Sequence, residues 1–237
     1  MSGLLEGILE SGFEELGLDV DEQALSRYRT YYEYLEEINK VMNLTAISGE
    51  EDVARLHFLD CAALAAQLPM EGRRLIDVGT GAGFPGLALK IACPGISLTL
   101  LDSLDKRVNF LKSCCEKLGF EDVAALHARA EDAPKELRES FDIAGSRAVA
   151  RLNLLSELCL PFVKVGGYFA AMKGPDCEEE INEAKRGIAM LGGKIEKKLD
   201  YTVPGTDIVH SIVLIKKVKP TPAKYPRHWA QIKKQPL

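Results

Sequence analysis

Between Asp77 and Gly86 the chain reads Asp-Val-Gly-Thr-Gly-Ala-Gly-Phe-Pro-Gly, so that Gly81, Gly83 and Gly86 form a G-x-G-x-x-G run and Gly79 stands two positions ahead of it. Glycine has no Cβ, so such a loop can turn sharply and bring backbone N–H groups close to a ligand. An apolar stretch, Arg74 to Val78, precedes the loop, and a helical one, Gly86 to Ala92, follows it. This strand-to-helix bend is the setting in which glycines cradle a nucleotide. Asp102 closes the next apolar stretch about twenty residues on, where a carboxylate can accept hydrogen bonds from ribose hydroxyls. Ala130-Glu131-Asp132 follows a third such stretch and suits a loop whose polar groups read the edge of an adenine.

Taken alone, G-x-G-x-x-G also fits a dinucleotide such as NAD. Asp77 argues against that ligand. A carboxylate two residues before the first glycine repels a pyrophosphate but attracts the ammonium of an amino acid. Acids at the ends of successive strands therefore favour S-adenosylmethionine over NAD. An oxidoreductase would also need a hydride-transfer partner, and no Tyr-x-x-x-Lys pair stands in the right region. The competing structural roles are a turn cap for Asp77 and a helix start for Glu131 and Asp132.

The elements that must position these residues fall into two textures. Residues 1–70 read as helical: Asp19 or Asp21 can cap a helix on which Leu25, Tyr28, Tyr32, Leu35, Ile38 and Met42 recur at three- and four-residue spacing. Asn43 and Ser48 mark a turn, and Glu51 to Ala66 resumes the helical pattern. From Arg73 onward strands alternate with helices. Strands are expected over 74–78, 96–101, 123–127, 141–144 and 168–172, then a hairpin over 194–203 and 208–218 around Pro204-Gly205. Alternating β and α elements imply a mostly parallel sheet with helices on both faces, and the terminal hairpin adds antiparallel strands at one edge. The expected fold is a Rossmann-like α/β class I methyltransferase with a seven-stranded sheet. Its parts would be a helical extension over 1–70, a catalytic domain over 71–218 and a basic tail over 219–237.

Composition adds boundaries. The 237 residues suit one sizeable core, 46% being hydrophobic and 27% charged. The first ten residues carry acids and no basic stretch, no apolar run is long enough to span a bilayer, and the six cysteines show no metal-ligand spacing. A cytoplasmic protein with free thiols, no metal and no membrane association is expected, with a monomer as the default. Net charge is −5, yet beyond Asp207 there is no acid at all, while Lys216, Lys217, Lys219, Lys224, Arg227, Lys233 and Lys234 accumulate. Such a tail can hold phosphates or can simply be a solubilising segment.

Outside the glycine loop, Asn43-Leu44-Thr45-Ala46-Ile47, His57-Phe58-Leu59-Asp60, Ser146-Arg147-Ala148, Lys173-Gly174 and Tyr225-Pro226-Arg227 occur in an order that resembles the ribosomal small-subunit methyltransferase G family, also called glucose-inhibited division protein B. The resemblance covers nearly the whole chain. It implies methyl transfer from S-adenosylmethionine to N7 of a guanine in 16S rRNA, free or in an assembling small subunit. The cofactor positions it implies are Gly79, Phe84, Asp102, Ser103, Leu104, Ala130, Glu131 and Arg147, which join Asp77, Gly81 and Gly83. Two departures stand out: Cys61 where the family often has serine, and His228-Trp229-Ala230-Gln231-Ile232 where many members have a Gly/Pro-rich tail.

Guanine N7 has an exposed lone pair and no proton, so its methylation requires no general base. Consistent with that, no Asn-Pro-Pro-Tyr-type segment follows the fourth strand. Arg147 is expected to orient the cofactor carboxylate or a phosphate, or to donate to guanine O6; the alternative is an ion pair with Asp142 or Glu157. Lys173, Lys224, Arg227, Lys233 and Lys234 are the expected RNA contacts, with Tyr225 and Trp229 either stacking on bases or packing back onto the domain. His57 and Asp60, three apart on a helix, either line an RNA pocket or anchor the helical extension to the sheet. A methyltransferase acting on a small molecule or protein is the second reading.

Overall fold

The computed structural model describes residues 3–147 and 149–237, which leaves Met1, Ser2 and Ala148 outside the described residues. Its first helices are α1 (Leu4–Glu15) and α2 (Glu22–Met42). Asp21 caps α2 by accepting from the Ala24 amide at 2.7 Å, and Asn43, in the left-handed region at φ 48°, ends it. Next, α3 (Glu50–Val53) runs through a π-helical turn (Ala54–Leu59) into α4 (Asp60–Ala65). The wider turn interrupts the single helix expected over 51–66. Such turns are frequent at functional sites, and this one carries His57.

The sheet follows. Strand β1 (Arg74–Val78) leads to α5 (Gly86–Ala92), β2 (Ser97–Asp102) to α6 (Asp105–Leu118), and β3 (Ala124–His127) to β4 (Phe141–Arg147). Then come α7 (Leu152–Cys159), β5 (Val163–Lys173), α8 (Glu178–Met190), β6 (Gly193–Thr202), β7 (Val209–Lys217) and α9 (Trp229–Lys234). The seven strands lie in the order β3-β2-β1-β4-β5-β7-β6. The first five are parallel, and β7 and β6 add antiparallel pairs. The expected mostly parallel sheet with its C-terminal hairpin is therefore present, β4 and β5 being longer than anticipated.

Central strands must bury both faces, and β1 and β4 do so almost completely. One face packs against α1, α2, α4, α5 and α6 through residues such as Phe13, Tyr28, Phe58, Leu87 and Leu111. The other packs against α7, α8 and α9 through Leu155, Ile181 and Ile232. The N-terminal helices thus share a core with the sheet.

The topology fixes where a ligand can sit. Chain order reverses between β1, which continues outward to β2, and β4 on its other side. Loops leaving the carboxyl ends of β1 and β4 therefore part and leave a crevice, the position at which open α/β sheets bind ligands.

Candidate active site

The loop after β1 is held open from behind. Asp77, fully buried, accepts through Oδ2 from Thr80 Oγ1 and from the Gly86 amide, both at 2.7 Å. Its other oxygen, Oδ1, has no hydrogen-bond partner among the described residues. Burial pushes the carboxyl up to about 6, against the pull of those two hydrogen bonds and of Arg147. Asp102, at the end of β2, reaches across: Oδ2 accepts from the Gly81 amide and Oδ1 from the Leu104 amide, both at 2.9 Å.

The glycines divide by role. A Cβ on Gly81, at φ 60°, would meet nothing nearer than the Gly79 carbonyl at 4.0 Å, so the space above it is open. On Gly83, at φ 105°, it would come within 2.4 Å of the Tyr31 hydroxyl. Gly81 faces a ligand space, whereas Gly83 lets α2 approach the loop.

Two adjoining cavities open along this rim. One, of about 360 Å³, is lined by Gly79, Gly81, Phe84, Arg107 and Arg147. The second, of about 200 Å³, is lined by Leu101, Ala130, Glu131, Leu158 and Trp229. Asp102, Ser103, Gly79 and Val149 border both. The crevice suits an elongated ligand with a nucleoside at the β3 end and a charged tail at the glycine end. S-adenosylmethionine fits on chemistry: there is room above Gly81, a carboxylate at the end of β2, and a buried carboxylate oxygen without a donor.

A third cavity, about 400 Å³, lies on the other side of Arg147 and is lined by Ile47, Leu56, His57, Asp60, Met172, Gly174 and His210. Arg147 and His57 border both this cavity and the glycine-side one. Arg147 ends β4 and is clamped from the π-helical turn and the start of α4: Nη1 donates to the Leu56 carbonyl and to Asp60 Oδ2, both at 2.9 Å, and Nη2 donates to His57 Nδ1 at 2.6 Å. The guanidinium lies 5.0 Å from the centroid of Phe84, which stacks on His57 at 4.1 Å. The anchoring role of His57 and Asp60 and their place on a cavity wall are thus both realised.

Electrostatics follow from this packing. Burial and the adjacent Arg147 charge push the His57 imidazole down to about 3, so it is neutral. With Nδ1 accepting from Arg147, Nε2 carries the proton and donates to Thr45 Oγ1 at 2.9 Å. Burial alone would raise the Asp60 carboxyl, but hydrogen bonds from His210 Nδ1 and Tyr201 Oη, both at 2.7 Å, and the Arg147 charge hold it below its usual range. The same contact with Asp60 raises His210, against a smaller penalty from burial.

Some expected positions lie elsewhere. Leu104 precedes α6 and lines neither half of the crevice. Asp77 also lines neither half: it is buried behind the loop, which its Oδ2 holds in place. Lys173 lines the third cavity, and its ammonium donates to the Ala150 carbonyl at 2.6 Å and pairs with Glu180 at 2.8 Å. Arg227 makes a forked pair with fully buried Glu157, Nη2 to Oε2 at 2.7 Å and Nε to Oε1 at 2.9 Å. A buried carboxylate needs such a partner. Asp142 is taken by Arg73 and Lys164, so neither acid proposed for Arg147 is its partner. Lys224, Lys233 and Lys234 are exposed. His210 and Tyr201, absent from the sequence-based site, have no local spacing that would mark them. They reach Asp60 only because β6 and β7 fold beside β5.

Known proteins resemble this chain in sequence and in fold. The family model described as rRNA small subunit methyltransferase G matches residues 24–202. The chain is 49% identical to the ribosomal RNA small subunit methyltransferase G of Alkaliphilus metalliredigens over 97% of its own length and 98% of that protein. It is 48% identical, with the same coverage, to the protein of that name from Clostridium botulinum strain Loch Maree. Among solved structures it is similar in fold to TrmN from Thermus thermophilus, with a TM-score of 0.56 at 17% identity over 76% of this chain and 53% of that one.

Proposed function

The chain belongs to the rRNA small subunit methyltransferase G family, and from that membership and the chemistry of the Arg147 seam we propose that it transfers a methyl group from S-adenosylmethionine to N7 of a guanine in 16S rRNA. The substrate is free rRNA or the assembling small subunit, and the reaction belongs to the cytoplasm. No helix among the described residues is long and apolar enough to cross a membrane.

The state of the groups around Arg147 carries this reading. His57 is neutral, with both ring nitrogens engaged. Asp60 is occupied by three partners. His210 is drawn toward its cationic form, which has only donors to offer. None of these groups is available to remove a proton from a substrate, and N7 of guanine has none to remove.

Gly79, Gly81, Phe84, Asp102, Ser103, Ala130, Glu131 and Arg107 would hold the cofactor, whose sulfonium supplies an electrophilic methyl group. Arg147 then positions. It stands between the cofactor crevice and the third cavity, and its guanidinium can donate to guanine O6, beside N7. His57, Asp60 and Phe84 keep that guanidinium in place. Holding the attacking nitrogen in line is worth several orders of magnitude in rate when geometry is good. The third cavity, with Met172 and Ile47 on its walls, receives the base. Lys224, Lys233 and Lys234 remain as phosphate contacts in the tail.

Incubation with methyl-labelled cofactor and unmethylated small subunits tests the reading. Strand cleavage specific for 7-methylguanine should map label to a single position in 16S rRNA. Label confined to protein or to a small metabolite, with rRNA unmarked, would support the second reading instead.

A further inference from the structure

Residues beyond β7 turn back across the molecule. Arg138 fastens the first part of this segment, donating to the Thr221 carbonyl at 2.6 Å and the Tyr225 carbonyl at 2.7 Å. The forked Arg227–Glu157 pair fastens the next part on α7, and the Arg227 amide also donates to Glu157 at 2.9 Å. Ile232 of α9 is completely buried among α7 and α8 residues. Trp229 lies two residues past the Arg227 anchor and lines the β3-side cavity with Ala130 and Glu131. On that wall Arg129 pairs with Glu131 at 2.6 Å and sits 5.7 Å from the Trp229 ring centroid.

A flat aromatic wall next to a carboxylate suits a planar, hydrogen-bonding heterocycle. We propose that the C-terminal segment is a strap that completes the adenosyl end of the cofactor site, with Trp229 as its contact and the Arg227–Glu157 pair as its anchor. The inference rests on the cofactor reading given above. It gives Arg227 a positioning role toward Trp229, and it makes the order of the tail depend on whether the crevice is filled.

Trp229 is the chain's one tryptophan, so its fluorescence reports on this wall alone. In the full-length protein, S-adenosylhomocysteine and adenosine should each change the emission saturably, while methionine leaves it unchanged. By calorimetry, Trp229→Ala should weaken S-adenosylhomocysteine binding roughly tenfold, the size of one lost base–aromatic contact. Trp229→Phe should stay within about threefold of the unaltered protein, and Arg227→Ala should weaken binding in the same direction as Trp229→Ala. Calorimetric binding with unchanged emission, and an unaltered Kd in Trp229→Ala, would overturn the strap while leaving the cofactor reading standing. Absence of any calorimetric binding would overturn the cofactor reading itself. Should Trp229→Ala fail to fold, the fluorescence titration of the unaltered protein still decides.

Discussion

Arg147 Nη2 and His57 Nδ1 are 2.6 Å apart, and the donor is the guanidinium, so the imidazole keeps its proton on Nε2 and points it at Thr45. A histidine held in that way orients its neighbour and does no acid–base work. Arg147→Lys removes the fork that reaches Leu56, Asp60 and His57 together. Single-turnover methyl transfer should fall at least about a hundredfold, while stability falls by no more than about 3 kcal/mol, since His210 and Tyr201 still engage Asp60. Rapid-quench rates and denaturant unfolding of the same preparation check this. A proportionate loss of both would leave Arg147 a purely structural residue.

The glycine loop permits a sharper separation. Gly81→Val directs a branched side chain into the crevice and should reduce S-adenosylhomocysteine affinity by a hundredfold or more. Gly81→Ala pays only the left-handed backbone penalty, about 1 kcal/mol, and should show an intermediate loss of binding. Gly83→Ala must collide with Tyr31 and should lower the melting temperature more than either Gly81 variant does. Calorimetry and thermal melts on the three proteins check the order. Normal affinity in folded Gly81→Val would place the ligand elsewhere.

Asp77 ties pH to both folding and binding. Its carboxyl is raised from 3.8 to about 6 by burial, so the stability that goes with its protonated form is complete below about pH 4 and is lost as pH climbs through 6. That rise corresponds to on the order of 3 kcal/mol against ionisation. From behind the glycine loop, the ionised form attracts the ammonium of a ligand in the crevice and the protonated form does not. Affinity for S-adenosylhomocysteine should therefore increase from pH 5 to pH 7 in the native protein. Asp77→Asn should bind at least about tenfold more weakly, show no such rise, and be no more than about 1 kcal/mol less stable at pH 7. Identical pH profiles for the two proteins would remove Asp77 from the ligand's field.

His210 behaves in the opposite sense to a depressed carboxylate. Asp60 raises it, so the stabilisation from this pair is fully present below about pH 6.5 and declines as pH rises through the elevated value. The difference in melting temperature between the native protein and His210→Phe should shrink steadily from pH 6 to pH 9. A constant difference would mean that the His210–Asp60 contact carries no charge.

Much of this was legible in the chain. Alternating apolar stretches and loops gave the order of strands and helices, because a strand buried on both faces must be apolar throughout. The glycine spacing, with Asp102 after the next strand, located the crevice. What spacing could not show were partnerships across long separations: His57 with Arg147, ninety residues apart, and Arg227 with Glu157, seventy apart. A cationic residue looks the same in sequence whether it faces solvent or neutralises an acid, which is why spacing did not reveal Glu180 and Glu157 as the partners of Lys173 and Arg227. Helix α9 escaped notice because six residues give too short a period to recognise. Trp229 left both of its readings open until the fold placed it on a wall.

The proposed activity leaves a single methyl group on one guanine of 16S rRNA. Mass spectrometry of nuclease fragments of that RNA, from cells with and without this protein, tests it most directly. One fragment should be lighter by a single methylation in the deficient cells, restored by the native protein and not by Arg147→Lys. Identical fragment masses in the two strains would contradict it.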